Sequence, residues 1–488
     1  MRSTGAEPRS GRVTGATDEA ALPTTPAARA GSERGSLISL LLAVILIPAV
    51  LGSSKTIFND GDVSWHIATG QWILAHHAIP RVDPFSFTWR GRPWVPIEWL
   101  AELIFAKAYK IAAYAGVAAL VTAALMTLHA IVFANASRFV RALIAIIPMD
   151  FVLVPMLLAR PHLLVWPLLA AWIWLMLLAR EKDRAPPLAS ALLMTLWANL
   201  HGSFVLGIGI AGLFGLEALV FSADRSRVCR QWLPFGIACV AAVFVNANGI
   251  AGVVHPLHME NLKMLPLIDE WKPSNPKVTP FFFAMLALTL ALIAWKRPRL
   301  VWTRWLLLAG MLGLALLQVR HQAMLAIIAA MVLPEGFGRE GAQSYRPDRG
   351  AIIVAYAAAI ALIIARAILP LSPVENETNP WKLIAAVPAE YKSQPVLNGY
   401  SMGGPLILAG ISPFIDGRGD MYGDALIADY VEVTSGDPAA LDGAVRRWHI
   451  RWAILPHRSH VTRILDRSNG WRRIASDDAG SVYVRSAP

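Results

Sequence analysis

The sequence predicts a polytopic α-helical membrane protein that ends in a small α/β unit outside the bilayer. Three observations predict it. Of 488 residues, 56% are hydrophobic and only 16% charged, with a mean hydropathy of +0.49, well outside the range of a soluble domain. The apolar residues gather in runs at 37–52, 117–135, 142–159, 163–178, 188–200, 204–221, 233–245, 281–295, 305–317, 323–333 and 351–369. That makes about eleven transmembrane helices, the shorter runs borrowing flanking aromatics to reach bilayer length. After residue 369 the runs stop and a chain of mixed composition begins.

In chain order, residues 1–36 are rich in Ala, Gly, Ser, Thr, Pro and Arg and read as a disordered cytoplasmic tail. A cleaved signal peptide is disfavoured, because the apolar run begins late and lacks a small-residue cleavage site. The transmembrane region spans 37–369. Its first external loop, 53–114, carries an amphipathic stretch at 98–114 suited to an interfacial or re-entrant helix. Basic residues then recur in every second loop: Arg138 and Arg141; Arg180, Lys182 and Arg184; Arg225, Arg227 and Arg230; Lys296, Arg297, Arg299 and Arg304; Arg339, Arg346 and Arg349. With Arg29 and Arg34 they set the amino terminus inside and the segment 370–488 outside, in the periplasm of a bacterial inner membrane. The net charge of +11 is therefore topology and membrane-surface attraction, and no stacking-rich basic patch argues for nucleic acid. Two cysteines, Cys229 and Cys239, leave no room for a disulfide framework or a thiolate metal site.

The outward ends hold the unusual polar chemistry: Asp60, Asp62, Trp65 and His66; Asp83; Glu98; Arg160 and His162; Asn199 and His201; Asn246 and Asn248; His255, His258, Asp269, Glu270 and Trp271; Arg320 and His321. An ionisable group at membrane depth costs up to roughly 3 kcal/mol on insertion scales, so convergence of several on one side points to a site. Taken singly each has an ordinary explanation. His162 and His201 could snorkel at the interface, the asparagines could cap or bridge helices, the arginines could pair with nearby acids, and most of the 18 tryptophans form an interfacial belt. The coincidence of residue type and side is what those explanations leave over.

The run Asp60-Gly61-Asp62 matches a D-x-D pattern. In soluble transferases that pattern holds a metal and a nucleotide diphosphate, but nucleotide sugars are absent from the periplasm. A membrane-delivered donor fits instead: a polyprenyl-phosphate sugar whose phosphate needs Arg or His and whose acceptor hydroxyl needs a carboxylate base.

The stretch "NDGDVSWHIATGQWILAHHAIPRVDPFSFTWRGRPWVPIEWLAE" at 59–102 resembles the first external loop of bacterial integral-membrane glycosyltransferases of the C-type fold. That group includes oligosaccharyltransferases, protein O-mannosyltransferases and lipid A aminoarabinose transferases. "RPHLL", "WANLHGSF", "NANG" with "IDEW", "VRHQ", "GGPLILAG" and "FIDGRGDMYGD" follow in the order seen in uncharacterised bacterial members. The resemblance implies that an acidic residue of the first loop is the catalytic base or a metal ligand, a place taken by Asp60 and Asp62. Asp62 is favoured, since it precedes His66 by one helical turn. Donor phosphate binding is assigned to Arg320 with His321 or Arg160 assisting, and His66, His162, His201 and Glu270 complete the expected binding set. The loop lacks a DPYY-like run, and "DPFS" at 83–86 is a partial echo, so a divalent metal on Asp60 and Asp62 is left open.

Beyond the linker at 370–380, a helix is expected near 381–391, a strand near 396–397, a Gly-rich turn at Gly403 and Gly404, a helix over 441–449, a strand over 451–455, a helix over 461–467, and paired strands at 471–476 and 481–485. The run with Asp416, Arg418, Asp420 and Asp424 is either turns with internal ion pairs or a wall of the membrane cavity that binds acceptor or donor headgroup. The expected activity is transfer of a sugar from a polyprenyl-phosphate donor to a periplasmic lipid, glycan or protein. The alternative is a transporter or flippase, which would show paired repeats and ionisable groups deep in spans on both sides. A glycan polymerase or ligase is a neighbour of the first expectation.

Overall fold

In this computed structural model, the described residues are 41–136, 139–259, 262–264, 268–336 and 349–486. The expected tail over 1–36 and the basic residues Arg29, Arg34, Arg138, Arg339 and Arg346 lie outside them. Four helices are long and apolar enough to cross a membrane: α3 (Trp99–Ala136), α5 (His162–Glu181), α7 (Phe204–Phe221) and α13 (Arg349–Ile368). Around them lie further helices, α1 (Leu41–Gly52), α2 (Asp62–His76), α4 (Phe139–Leu153), α6 (Leu192–Leu200), α8 (Arg225–Val243), α9 (Ile250–Met259), α10 (Pro280–Lys296), α11 (Trp302–Leu317) and α12 (Gln322–Gly336).

The amphipathic stretch and the second apolar run belong to one element, α3. It is interrupted only at Ala112 and Ala113, the latter at φ 48°. Its two parts fold tightly on each other there, because a Cβ on Gly116 would lie 2.0 Å from the Ala108 carbonyl oxygen. Between apolar helices in lipid the hydrophobic effect supplies little attraction, so small residues and buried polar bonds do the holding. Gly52 lets α1 close on Thr122 of α3, where a Cβ would meet the hydroxyl at 2.3 Å. The Trp172 indole donates to the Gly207 carbonyl at 2.9 Å and ties α5 to α7. At the other end of these helices the Glu217 carboxylate accepts from Arg180 at 3.1 Å, Arg304 at 3.0 Å and Thr303 at 2.9 Å.

The C-terminal segment builds a four-stranded sheet of order β1-β2-β4-β3 from β1 (Val396–Asn398), β2 (Trp452–Leu455), β3 (Trp471–Asp477) and β4 (Gly480–Arg485). β1 and β2 run parallel with Val396 opposite Trp452, and β4 is antiparallel to both its neighbours. Its helices are α14 (Trp381–Ala386), α15 (Ala389–Lys392), α16 (Gly403–Leu408), α17 (Gly419–Thr434), α18 (Pro438–Arg447) and α19 (His460–Asp466). The expected strands and the helices near 441–449 and 461–467 are present within a few residues. Gly403 and Gly404 do not form a turn but open α16. Their lack of side chains serves close approach: a Cβ on Gly404 would lie 2.0 Å from the Gly61 carbonyl oxygen, and one on Gly61 2.0 Å from that of Ser401.

The sheet's core is completed from outside it. Trp65 and Ala68 of α2, Trp94 of the segment between α2 and α3 and Met264 pack with Leu397, Phe414, Ile415 and Tyr422. At this junction Arg418 is buried between Asp83, at 2.8 Å, and Asp416, at 2.7 Å, with Trp94 and Phe85 beneath the guanidinium. Tyr422 donates to the same Asp416 carboxylate at 2.5 Å. Replacing Arg418 by Gln leaves two buried carboxylates without their cation, a change that costs about 3–5 kcal/mol. Thermal unfolding of the purified variant should show a lowered midpoint, and proteolysis should release fragments from 380–488 first.

Candidate active site

The site begins with the turn that starts α2. The Asp62 amide donates to Asp60 Oδ1 at 2.8 Å, which places both carboxylates on one side of the helix N-terminus. Arg160 arrives just ahead of α5, its approach fixed by the Ala159 amide donating to the Ile57 carbonyl at 2.7 Å. Its guanidinium lies 2.8 Å from Asp62 and 3.3 Å from Asp60, and it reaches Glu270 at 3.0 Å. Three carboxylates from separate parts of the chain thus share one cation. Gly417 closes the arrangement from the C-terminal side: a Cβ there would fall 1.7 Å from Asp62 Oδ1.

Burial, reinforced by Asp60 and opposed by Arg160, pushes the Asp62 carboxyl up to about 7. For Glu270 burial acts in the same direction, but Arg160 and Arg320 outweigh it and hold the group below the usual range. Burial alone would weaken the Arg160 charge, and Glu270, Asp62 and Asp60 more than restore it.

Beside this cluster runs a second polar chain. Glu98 has His201 Nε2 at 3.3 Å and His66 Nε2 at 3.8 Å, and His66 Nδ1 lies 3.5 Å from Glu102. The Ser203 amide donates to His201 Nδ1 at 3.0 Å, so in the neutral ring the proton sits on Nε2, facing Glu98. Burial pushes Glu98 up to about 8 and drives the imidazoles of His66 and His201 well below their ordinary value. Near neutral pH this chain is largely uncharged.

Both clusters open on one cavity of about 1010 Å³. Asp60, Asp62, Arg160, His162, His201, Glu270, Arg320 and His321 all line it. Arg320 lies over the Trp271 ring at 4.0 Å, and burial beside Arg320 lowers His321 to about 4. His66 is the exception among the expected site residues: it is 1% exposed, behind the wall, with the Trp65 ring 3.6 Å from it. Its ring lies instead against Glu102 of α3, with Nδ1 3.5 Å away. Residues without an assigned role in the sequence also line the cavity: Glu98, Tyr400, Tyr430 and Asp420, the last paired with His255 at 2.8 Å. Asp420 stood in a polar run that announced itself, whereas nothing around Tyr400 did. In the run 416–424 the expected internal ion pair is present between Asp416 and Arg418, and Gly417, Arg418, Gly419 and Asp420 line the cavity. The lining also includes apolar side chains, Val205, Leu206, Val278, Met311, Leu314 and Met324.

A divalent ion does not fit between Asp60 and Asp62 as they stand, because the Arg160 guanidinium already occupies the position between them and Glu270. Among the described residues no group of three or more His, Cys, Asp or Glu is arranged to hold a metal.

No family model matches the sequence, and no curated protein matches it. Among solved structures the chain is similar to the archaeal oligosaccharyltransferase AglB from Archaeoglobus fulgidus, in complex with an inhibitory peptide and a dolichol-phosphate. The TM-score is 0.45 at 11% sequence identity, over 87% of this chain and 70% of that one.

Removing the guanidinium should expose the carboxylates to metal. Arg160→Gln is expected to bind Mn²⁺ detectably by electron paramagnetic resonance, while the wild-type protein leaves the ion free in solution. Wild-type binding of Mn²⁺ displaced by mutation of Asp62 would contradict the geometry.

Proposed function

We propose that the chain is a membrane glycosyltransferase that moves a sugar from a polyprenyl-phosphate donor to an extracytoplasmic acceptor. The observation that carries this reading is one cavity lined both by Asp62, Arg160, Glu270 and Arg320 and by apolar side chains such as Val205, Leu206, Met311 and Leu314. A lipid-linked phosphate needs both kinds of lining. Arg320, with Arg160 and the neutral His321 beside it, faces the phosphate, and the polyprenyl chain follows the apolar wall. Asp62 takes the acceptor hydroxyl proton as the new glycosidic bond forms at the anomeric carbon and the bond to phosphate breaks. The departing phosphate takes the electron pair of the broken bond and so gains one negative charge, which the arginines stabilise without a proton. Glu98 and the histidines beside it supply hydrogen bonds to sugar hydroxyls without adding charge.

The pH dependence follows from Asp62. A base with its carboxyl near 7 is protonated and idle in acid, so the rate should rise with pH up to about 7 and level above it. The measurement is transfer of radiolabel from polyprenyl-phosphate sugars by the protein in nanodiscs, with Asp62→Asn and Arg320→Ala alongside. Asp62→Asn is expected to lose at least about 10²-fold, the lower range for removal of a general base, and Arg320→Ala to lose activity through weakened binding of the donor phosphate. Turnover with none of the donors, together with conformation-dependent solute uptake, would establish the transporter instead.

Glu98→Gln makes a separate check. Glu98 is mostly protonated at pH 7, so the amide should keep most of the wild-type rate there. A loss as large as that of Asp62→Asn would mean that Glu98 acts ionised.

A further inference from the structure

The C-terminal unit has a second surface, at the end of its sheet away from the cavity. Between residues 446 and 485 the sequence has nine arginines, no lysine and three acids, and all nine arginines are exposed. Strand directions sort them. The C-terminal end of β1 leads to Tyr400 and Ser401, which line the cavity and press on Gly61. At the opposite end lie Arg451 entering β2, Arg472 beginning β3 and Arg485 ending β4. The Arg485 amide donates to the Arg451 carbonyl and the Ser486 amide to that of Gly470, each at 2.9 Å, so these segments are adjacent. Arg446 and Arg447, closing α18, and Arg467, just after α19, reach the same end. Only Arg447 among these six has a carboxylate partner within the described residues, Asp429 at 3.1 Å. Trp448 and Trp471 are half-buried among them.

We infer that this pole binds an anionic polysaccharide. Like charges gathered without counter-charges repel one another, and a polyanion relieves that repulsion while releasing its own counterions. Exclusive use of arginine matches carboxylate or phosphate groups, which the planar guanidinium grips through two parallel N–H bonds. The two indoles add flat apolar faces of the kind that pack on sugar rings. The bilayer beneath the helices is not the partner, since the pole turns away from the end of the sheet that meets α2. The choice of a glycan over another polyanion rests on the proposed glycosyl transfer in the cavity; the charge argument does not.

The test uses the full chain in nanodiscs of zwitterionic lipid, with polygalacturonate as probe and neutral dextran and a duplex DNA of matched length as comparators. Wild type should bind polygalacturonate with an affinity that falls steeply with salt. Arg451→Gln/Arg472→Gln/Arg485→Gln should weaken binding at least about tenfold and flatten the salt slope by about 2–3. The corresponding triple Lys variant, which keeps charge but loses the paired bonds, should fall between them. Thermal midpoints, and transfer to a short neutral acceptor where transfer is found, should be unchanged in all three proteins. Equal binding by wild type and the Gln variant, equal binding of neutral dextran, or tighter binding of DNA than of polygalacturonate would overturn the inference. Polymer binding without sugar transfer would leave this surface standing and remove the proposed activity, so the two failures are distinct.

Discussion

Arg418 in its pair of aspartates is the constraint on which the site depends. A guanidinium buried to 1% exposure persists only if its charge and its N–H groups are met, and Asp83 and Asp416 meet them from two parts of the chain more than three hundred residues apart. With that bond made, the segment that carries Asp83 and the C-terminal sheet form one roof. Gly417 then comes against Asp62 and Gly404 against Gly61, contacts that any side chain would prevent. The glycines supply proximity, and the ion pair fixes which backbones become proximal.

Beneath that roof the charges are arranged by scarcity of cations. Asp60, Asp62 and Glu270 all turn to Arg160, and burial decides how the deficit is distributed. Glu270, which also feels Arg320, stays ionised, whereas Asp62 beside Asp60 is lifted into the neutral pH range. Glu98, where burial outweighs the more distant Arg160 and Arg320, is lifted further. Similar carboxyl groups in one cavity therefore have different proton affinities, set by the balance between burial and the charges around each.

The C-terminal unit has a matching asymmetry. Its cavity end presents Tyr400 and Asp420 and is drawn into the helices, while its far end keeps arginines exposed around two half-buried tryptophans. The β1-β2-β4-β3 order produces this separation, because loops at opposite ends of a short sheet cannot exchange places.

By itself the sequence determined much of the secondary structure and marked out the polar groups against an apolar background. Apolar runs and alternating strands are local patterns, each readable from a few neighbours. It also singled out Asp60, Asp62, Arg160, Glu270 and Arg320, because ionisable residues stand out against an apolar background. Spacing misled where it treated contact as a property of one element: Asp62 and His66 are a turn apart yet face different partners, and the glycines at 403 and 404 serve packing instead of turning. Only the tertiary structure decided that one guanidinium would serve three carboxylates, that Tyr400 and Asp420 would complete the wall, and that Arg418 would join the Asp83 segment to the C-terminal sheet. Those are meetings between residues remote in the chain, and their distances and burial set the proton affinities that no linear pattern encodes.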